Sequence, residues 1–352
     1  MYVYIHRKII HIFIRLTLKT NTMKKIITSC FLVFATVAVF AQSSETEDKK
    51  EWDKLQKYSE ERAKFLTEQL SPYDVKNRDI ALSPKQPCCR DVSKYEVIDS
   101  GFVRIQYALN ATDIKNPQTY DDLQKLEIGK RYTKYYSAYV FESDSIATAF
   151  NILYNRINHT NFVLEGGKIS VVGELRGKLQ GWSRYVFSDF FKDMSNNNLT
   201  EYCRMPDHIE KYNSFYTETI PVQDWQLCEE NQEIAGYQCQ KATCHFRGRD
   251  YTAWFTVEIP ISQGPWKFCG LPGLILKVYD DKQEYVYECV GVEQITDGYP
   301  ITRLDNFKAY QNTTREKLDK LVKKITENYY QISGLTNTIS KKLRPYNPME
   351  LE

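Results

Sequence analysis

The sequence has few histidines and no excess of basic charge, and both shortages exclude classes of function. Its 352 residues include five histidines, and 47 Lys+Arg stand against 45 Asp+Glu. The first forty-one residues carry six bases and no acid, so the remainder has 41 basic and 45 acidic residues. Phosphate binding needs clustered Lys and Arg in excess. The composition therefore argues against a nucleic-acid-binding protein and against a polybasic membrane-surface protein.

The common catalytic motifs are also missing. The chain has no G-x-S-x-G, no H-E-x-x-H, no phosphate-binding glycine loop and no dinucleotide fingerprint. His159 and His208 lie in polar, loop-like contexts. His245 follows Cys244, but neighbours on a strand point to opposite faces, so the two do not form a thiol–imidazole pair. We predict no catalytic residue, no metal site and no cofactor, and a non-enzymatic function is favoured.

Long apolar runs are scarce, and the one near the start has the form of an export signal. After Met23 come two lysines, an apolar run from 26 to 40, and a small-residue cleavage site at Ala41, before Gln42. The run is shorter than the roughly 20 residues that span a membrane. We interpret residues 1–22 as an upstream mis-start and 23–41 as a signal peptide. The mature protein is then periplasmic, secreted or outer-membrane associated, without a transmembrane span.

Export to an oxidising compartment changes the chemistry expected of the cysteines. Cys30 lies in the leader, and eight cysteines remain, which suggests disulfides in an oxidising compartment. A zinc site on Cys239, Cys244 and His245 is the alternative, but its spacing fits no close CxxC pair. The pairing cannot be deduced from the sequence. The candidate disulfide cysteines are Cys88, Cys89, Cys203, Cys228, Cys239, Cys244, Cys269 and Cys289.

Hydrophobic periodicity divides the mature chain into three parts. Residues 42–93 form a polar lead and an amphipathic helix whose apolar stripe runs from Trp52 to Leu70, and we expect that stripe to pack on the protein's own sheet. Residues 94–300 alternate in β fashion with many aromatic and β-branched residues, which predicts an antiparallel β domain. Residues 301–352 form a helix and a tail, with a capping box at Thr313 and Glu316 and a stop at Gly334.

The segments predicted to be strands or hairpins are YEVIDSGFVRIQYAL, RYTKYYSAYVFES, NFVLEGGKISVVGEL and GWSRYVFSDF, followed by a hairpin around Arg247–Asp250. With Gly248-Arg249 as the hairpin loop, Phe246 faces Tyr251 and Cys244 faces Ala253. Alternation then gives one apolar face, from Ala242 to Val257, and places Cys239 on the other. Leu271-Pro272-Gly273-Leu274 predicts a type II turn with Gly273 at the left-handed position.

The segment from 233 to 295 resembles the GLPGLI family of exported Bacteroidetes proteins. The resemblance lies in AGYQCQKA, FRGRDYTAWFTVEIP and GPWKFCGLPGLIL, and DWQL, IGKRYTKYYS and the terminal NPMELE fit as well. It implies a curved, half-barrel or bowl-like antiparallel sheet but no activity, because the family has no established function. Cys269 departs from the usual pattern and suggests a local staple. The motif residues are Gly270, Leu271, Pro272, Gly273, Leu274 and Ile275.

Aromatic residues near this motif are the candidate ligand contacts, because they could line a concave sheet face. They are Trp254, Trp266, Tyr279, Tyr285 and Tyr287. We therefore predict a non-catalytic envelope protein that binds a lipid, glycan or protein partner. One alternative is an envelope hydrolase using acids such as Glu258, Asp280 and Asp281. Another is a structural partner of an outer-membrane assembly, with the stripe from Trp52 to Leu70 as its contact surface.

Overall fold

The computed structural model describes residues 45–67, 84–158, 182–335 and 346–352. The leader, residues 1–22 and the predicted strand NFVLEGGKISVVGEL lie outside these ranges. The helices are α1 (Glu45–Thr67), α2 (Ala138–Asn158) and α3 (Arg315–Ser333). The strands are β1 (Tyr95–Leu109), β2 (Asp122–Gly129), β3 (Tyr132–Ser137), β4 (Ser188–Asp193), β5 (Asn198–Cys203), β6 (Ser214–Thr219), β7 (Gln226–Ile234), β8 (Tyr237–Phe246), β9 (Arg249–Thr256), β10 (Leu274–Asp280), β11 (Val286–Leu304) and β12 (Gln311–Asn312).

All twelve described strands belong to one sheet. Their order is β12-β6-β5-β4-β3-β2-β1-β11-β10-β9-β8-β7, and every pairing is antiparallel except the two-residue contact of β12 with β6. Most neighbours in the sheet are also consecutive in sequence, which is the pattern of hairpin-linked strands. The sheet is open, because β7 and β12 are edges. The predicted mainly β, curved antiparallel fold with a helix towards each end is confirmed.

The core lies against one face of this sheet, as the alternation in β1 shows. Val103, Ile105, Tyr107 and Leu109 are all buried on that face. Tyr107 donates a hydrogen bond to the carbonyl oxygen of Ile275 at 2.8 Å. We call this side of the sheet the core face. β-Branched and aromatic residues at every second position create it, because successive strand side chains point to opposite sides.

The second helix was not expected from the sequence. The prediction for RYTKYYSAYVFES as a strand is wrong after Ser137, where α2 begins. Ile146, Phe150 and Leu153 are buried at spacings of four and three, which fit one face of a helix. The aromatic and β-branched residues before Ser137 favoured a strand, and tertiary packing overrides that preference in α2. For GWSRYVFSDF, similarly, strand β4 begins only at Ser188.

The described residues fall into two compact units, and the smaller contains α1, residues 89–93 and α2 from Phe141 onwards. Trp52 packs edge-on against Phe150, with 5.0 Å between ring centroids. Both the backbone nitrogen and Nε of Arg90 donate to the carboxylate of Asp144, at 3.1 and 3.0 Å. This Trp52 contact is with a helix, and not with the sheet as we had expected. No described helix is apolar and long enough to cross a membrane.

The larger unit holds the sheet and α3, whose sequence signals were accurate to within one residue. Thr314, and not Thr313, caps the helix, because its side chain accepts a hydrogen bond from the backbone nitrogen of Lys317. The helix ends at Gly334, which has a left-handed φ of 72°. Its predicted stripe is buried at Leu318, Val322, Ile325 and Tyr329.

The hairpin of β8 and β9 has the predicted faces but a different register. Its loop is Arg247-Gly248, with φ of 47° and 81°, so Phe246 pairs with Arg249 and Cys244 with Tyr251. Positive φ at both loop residues matches the twist of antiparallel strands. A shift of two residues keeps every side chain on its predicted side, so the apolar set is buried except for the exposed Val257. Cys239 is buried as well, where β8 extends past the last β9 pairing.

The predicted type II turn at Leu271–Leu274 is wrong. The backbone nitrogen of Leu274 donates to Ile259 at 3.0 Å, and the left-handed glycine of this segment is Gly270, with φ of 92°. Gly273 is required for a different reason. A Cβ atom there would lie 2.0 Å from the carbonyl oxygen of Thr256. The glycine therefore allows two backbone segments to touch at the start of β10.

The expected disulfide framework is not found. None of the cysteines beyond the leader forms a disulfide in the structure. The cross-strand neighbours of the strand cysteines are other residues: Cys244 lies opposite Tyr251, and Cys289 lies opposite Tyr107. A disulfide requires Cα atoms within about 7 Å, and these positions place other side chains there. The local staple suggested for Cys269 is likewise not present.

Thiol reactivity should therefore divide the cysteines into two groups. Burial raises the pKa of Cys203, Cys244 and Cys289 to about 12, whereas Cys88 is exposed. Because the thiolate is the reactive form, Cys88 should react with an aromatic disulfide reagent at pH 8 far faster than these three, which should react only after denaturation. Cys88→Ser should remove the fast phase. Fewer than eight thiols in the denatured, unreduced mature protein would instead reveal disulfides.

Candidate functional site

The core face carries a short chain segment as well as its own side chains. Residues 346–352, called segment 346–352 below, lie on it with Pro348, Met349 and Glu350 buried. Met349 has no exposed surface, while Asn347, Leu351 and Glu352 are exposed. Segment 346–352 has no place in the ladder of described strands. Its position is therefore set by side-chain contacts, and these define the candidate site.

Arg249, at the start of β9, holds the segment's backbone. Its Nη2 donates to the carbonyl oxygen of Pro348 at 2.7 Å and to the side-chain oxygen of Asn347 at 2.6 Å. Its Nη1 donates to Asp280 and to Glu284, each at 2.8 Å. The carboxylates fix the guanidinium plane, so its remaining donors point at the segment. Planar, multidentate contacts of this kind are a property of arginine that lysine lacks.

Four tyrosines surround Met349 and Asn347. Tyr251 donates its hydroxyl hydrogen to the carbonyl oxygen of Met349 at 3.0 Å, and Tyr185 accepts from the Met349 nitrogen at 2.7 Å. Tyr287 donates to the Met349 sulfur at 3.3 Å, and Tyr285 donates to the Asn347 carbonyl oxygen. Burial raises the pKa of all four phenols, so they remain neutral. A thioether among aromatic rings fits the adaptable packing of methionine.

The turn between β8 and β9 is shaped to let the segment approach. The backbone nitrogen of Leu351 donates to the carbonyl oxygen of Arg247 at 2.9 Å. A Cβ atom on Gly248 would lie 2.8 Å from the Cβ of Leu351. Gly248 thus serves both the left-handed turn and this close contact.

A loop before β10 presents Trp266 and Lys267 to the same place. A bridge between Gln263 and Cys269 closes the loop, and the Phe268 nitrogen donates to the Pro265 carbonyl at 3.1 Å across its tip. Trp266 has a positive φ of 53°, and its buried Nε1 has no hydrogen-bond partner within the described ranges. Strained backbone and unsatisfied polar atoms are concentrated at functional sites in many proteins.

Lys267 is the charged centre of the site. Its side chain is fully buried, and Nζ donates to both oxygens of Glu350, at 2.7 and 2.8 Å, and to Glu218 at 3.1 Å. Burial lowers the pKa of Lys267 to about 7, against the opposing effect of Glu201 and Glu218. Burial raises the pKa of Glu218, but Lys267 and Arg247 outweigh it, so that pKa lies below its usual value.

The cluster extends towards α3, where further pairs balance its charge. Arg184 forms a two-bond pair with Glu201, at 2.7 and 2.9 Å, and also contacts Asp319. Tyr216 links the two halves, because it donates to Glu201 at 3.0 Å and accepts from Lys267 at 2.7 Å. The members are Lys267, Arg247, Arg184 and Arg315 with Glu350, Glu218, Glu201 and Asp319. Loss of Glu350 would remove the carboxylate that contacts both Lys267 and Arg247.

The structure unites three of the five aromatic candidates. Tyr285 and Tyr287 contact segment 346–352 directly, and Trp266 packs against Tyr185 at 6.3 Å between ring centroids. Trp254 and Tyr279 are partly exposed, and they have the opposite strand parity to the buried Ala253 and Val278. They lie on the other face of the sheet. The five residues therefore do not form one surface.

The acidic residues considered for hydrolysis do not form a pair. Asp280 is buried and bound to Arg249, while Glu258 is exposed and accepts from the Gln238 nitrogen at 2.9 Å. Of the described residues, one group has three ligand-type side chains close enough for a metal ion: Cys88, Asp207 and Glu210. This group contains none of the residues Cys239, Cys244 and His245, which the sequence offered as a possible zinc site.

Comparison with known proteins gives one partial match to a family model and no function. A model described as a protein of unknown function, Porph_ging, matches residues 247–277. This fits a Bacteroidetes family, and the GLPGLI assignment remains a prediction. No curated protein matches. Two structures of PNGF-II, in P21 and C2 space groups, are each 12% identical over 63% of this chain, with a TM-score of 0.38. This chain spans about a third of their length, at 33% and 32%.

The matched residues 247–277 include four of the side chains that hold the segment. Arg247, Arg249, Tyr251 and Lys267 all lie within it. Sequence reasoning missed these residues and the role of Glu350. A signal was present, because GPWKF contains a lysine within an apolar motif and NPMELE contains a methionine beside an acid. Connecting the two required knowledge that residues 83 positions apart meet.

Proposed function

We propose that this protein is an exported, non-catalytic binding module of the cell envelope, and that its core face recognises a protein partner. The supporting observation is that this face holds a short segment, 346–352, through side chains that satisfy both its backbone and its side chains. The bound groups include the oxygens of Pro348 and Met349 and the carboxylate of Glu350. Export rests on the leader at 23–41.

A protein partner is favoured over a lipid or glycan by the chemistry of the contacts. Arg249 and Tyr251 donate to peptide carbonyl oxygens, and Tyr185 accepts from a peptide nitrogen. Peptide groups need such a matched set of donors and acceptors, because an unsatisfied buried one costs about 1–3 kcal/mol. An acyl chain would satisfy none of them.

The proposal predicts partner contacts at one face of the sheet. In its native cells, the protein should be recovered from the envelope fraction with Gln42 as its first residue. A photo-crosslinking amino acid at Tyr285 should give an intermolecular product, while the same substitution at Tyr279 on the opposite face should not. In purified protein, the Tyr285 probe should instead label residues 346–352.

Two results would contradict this proposal. One is recovery of the protein from the cytosol with residues 23–41 still attached, which would contradict the proposed location in the cell envelope. The other is equal cross-linking from positions 285 and 279, or none from either, which would contradict the proposal that the partner binds at the core face. Circular dichroism of both substituted proteins controls for folding.

A further inference from the structure

We infer, on the basis of the proposed function, that the partner binds as a short peptide with a methionine-like residue followed by an acid, and that segment 346–352 is its intramolecular competitor. Met349 and Glu350 are the buried side-chain anchors of the bound segment, at 0% and 5% exposure. The partner peptide must fill these two positions. The exposed residues beside them tolerate substitution.

The acidic requirement follows from the charges that the segment leaves behind. Without Glu350, Lys267 and Arg247 would share the carboxylate of Glu218. Lys267 is fully buried while the segment is in place, so a partner peptide that covers it in the same way must also supply the anion, because water is excluded again. A buried charge that loses its partner is strongly destabilising. The vacated face therefore favours a peptide whose carboxylate reaches Lys267, and disfavours neutral or basic peptides.

The competitor role follows from how the segment is attached. Its one backbone hydrogen bond to described backbone joins Leu351 to Arg247. The remaining contacts are from side chains, so its departure leaves all strand pairings of the sheet in place. A tethered segment acts at an effective concentration in the millimolar range. A free peptide of the same intrinsic affinity competes only when its concentration approaches that range or when the tether is cut, and a partner at lower concentration must bind correspondingly more tightly than the segment.

The test compares the intact chain with a cut one. A protease recognition site inserted between residues 336 and 345 allows the folded full chain to be cleaved, with every contact residue unchanged. The probe is a fluorescein-labelled peptide of sequence YNPMELE, followed by fluorescence anisotropy. The cut protein should bind it at least tenfold more tightly than the intact protein, because the tethered competitor has become exchangeable.

Two further variants test the chemistry. A peptide with Gln in place of Glu350 should bind the cut protein at least tenfold more weakly. The chain variant Lys267→Met should show a similar loss, whereas Lys277→Met should not, because Lys277 pairs with Glu288 at 2.7 Å away from the segment. If Lys267→Met does not fold, the peptide series alone decides the question.

The inference is overturned if the cut, folded protein does not exchange its segment, or if the Glu and Gln peptides bind equally. Its failure differs from failure of the proposed function. Persistent Tyr285 cross-linking to an envelope protein, without peptide binding, would reject the peptide chemistry alone. Loss of both signals would reject both.

Discussion

Glu350→Gln should lower the free energy of unfolding by about 3–5 kcal/mol, the range seen when one partner of a buried ion pair is removed. The carboxylate is almost fully buried and accepts two hydrogen bonds from Lys267, and it also contacts Arg247. With a neutral amide at position 350, Lys267 and Arg247 must share the carboxylate of Glu218 as their ion-pair partner. Urea unfolding followed by circular dichroism measures the loss as a lower midpoint.

A double-mutant cycle separates the pair from the rest of the site. In Lys267→Met with Glu350→Gln, Arg247 and Glu218 can still pair, so the double variant should be less destabilised than the sum of the two single variants. Coupled neighbours typically differ from additivity by about 0.5–3 kcal/mol. Strict additivity would contradict the assigned contact.

An exposed pair provides the matched control. Glu230 contacts Lys241 at 2.9 Å, but 58% of its side chain is exposed. Glu230→Gln should leave the urea midpoint nearly unchanged, because surface ion pairs contribute little in high dielectric. A loss as large as that of Glu350→Gln would show that burial is not the cause.

Gly273→Ala should destabilise the protein by about 4 kcal/mol or more, the range of exceptional substitutions. The added Cβ would lie 2.0 Å from the Thr256 oxygen and 2.6 Å from its carbonyl carbon. Both are backbone atoms of the paired strand β9, so no side chain can move aside. Relief requires separation of β10 from β9 where Leu274 pairs with Thr256. Thermal unfolding should show a markedly lower midpoint.

Two controls identify the clash as the reason. Pro272 is exposed, so Pro272→Ala should cost about 0.4–1 kcal/mol through the entropy of the unfolded chain. Gly236 has a φ of 85° and nothing within 4 Å of its added Cβ, so Gly236→Ala should cost about 1–2 kcal/mol for conformation alone. If Gly273→Ala behaved like Gly236→Ala, the close backbone contact would be wrong.

Local patterns predicted β1 and α3 well. YEVIDSGFVRIQYAL, predicted as a strand or a hairpin, is the single strand β1, in which every second residue from Val103 to Leu109 belongs to the hydrophobic core. Helix α3 combines an uninterrupted stripe with a cap and a left-handed glycine. For α2, strand-favouring residues immediately before the helix obscured the pattern, so the local signal gave the wrong structure.

The motif residues show why the site was only partly predictable. Pro-Gly in Leu271–Leu274 predicts a turn by its local angles, but Gly273 is explained by its contact with Thr256, on another strand. The aromatic candidates were correct at Trp266, Tyr285 and Tyr287 as members of one face. Trp254 and Tyr279 are also aromatic and also lie near the motif in sequence. Their positions along β9 and β10, however, place them on the opposite face of the sheet.

The sequence by itself determined that this is a mainly antiparallel β protein with amphipathic helices towards both ends, because alternation and helical periodicity depend on neighbouring residues. Only the tertiary structure decided that Lys267 meets Glu350 and that Arg249 meets Pro348. Those contacts join residues 83 and 99 positions apart. No local pattern specifies them, because they arise when the loop, the hairpin turn and segment 346–352 meet on one face of the sheet.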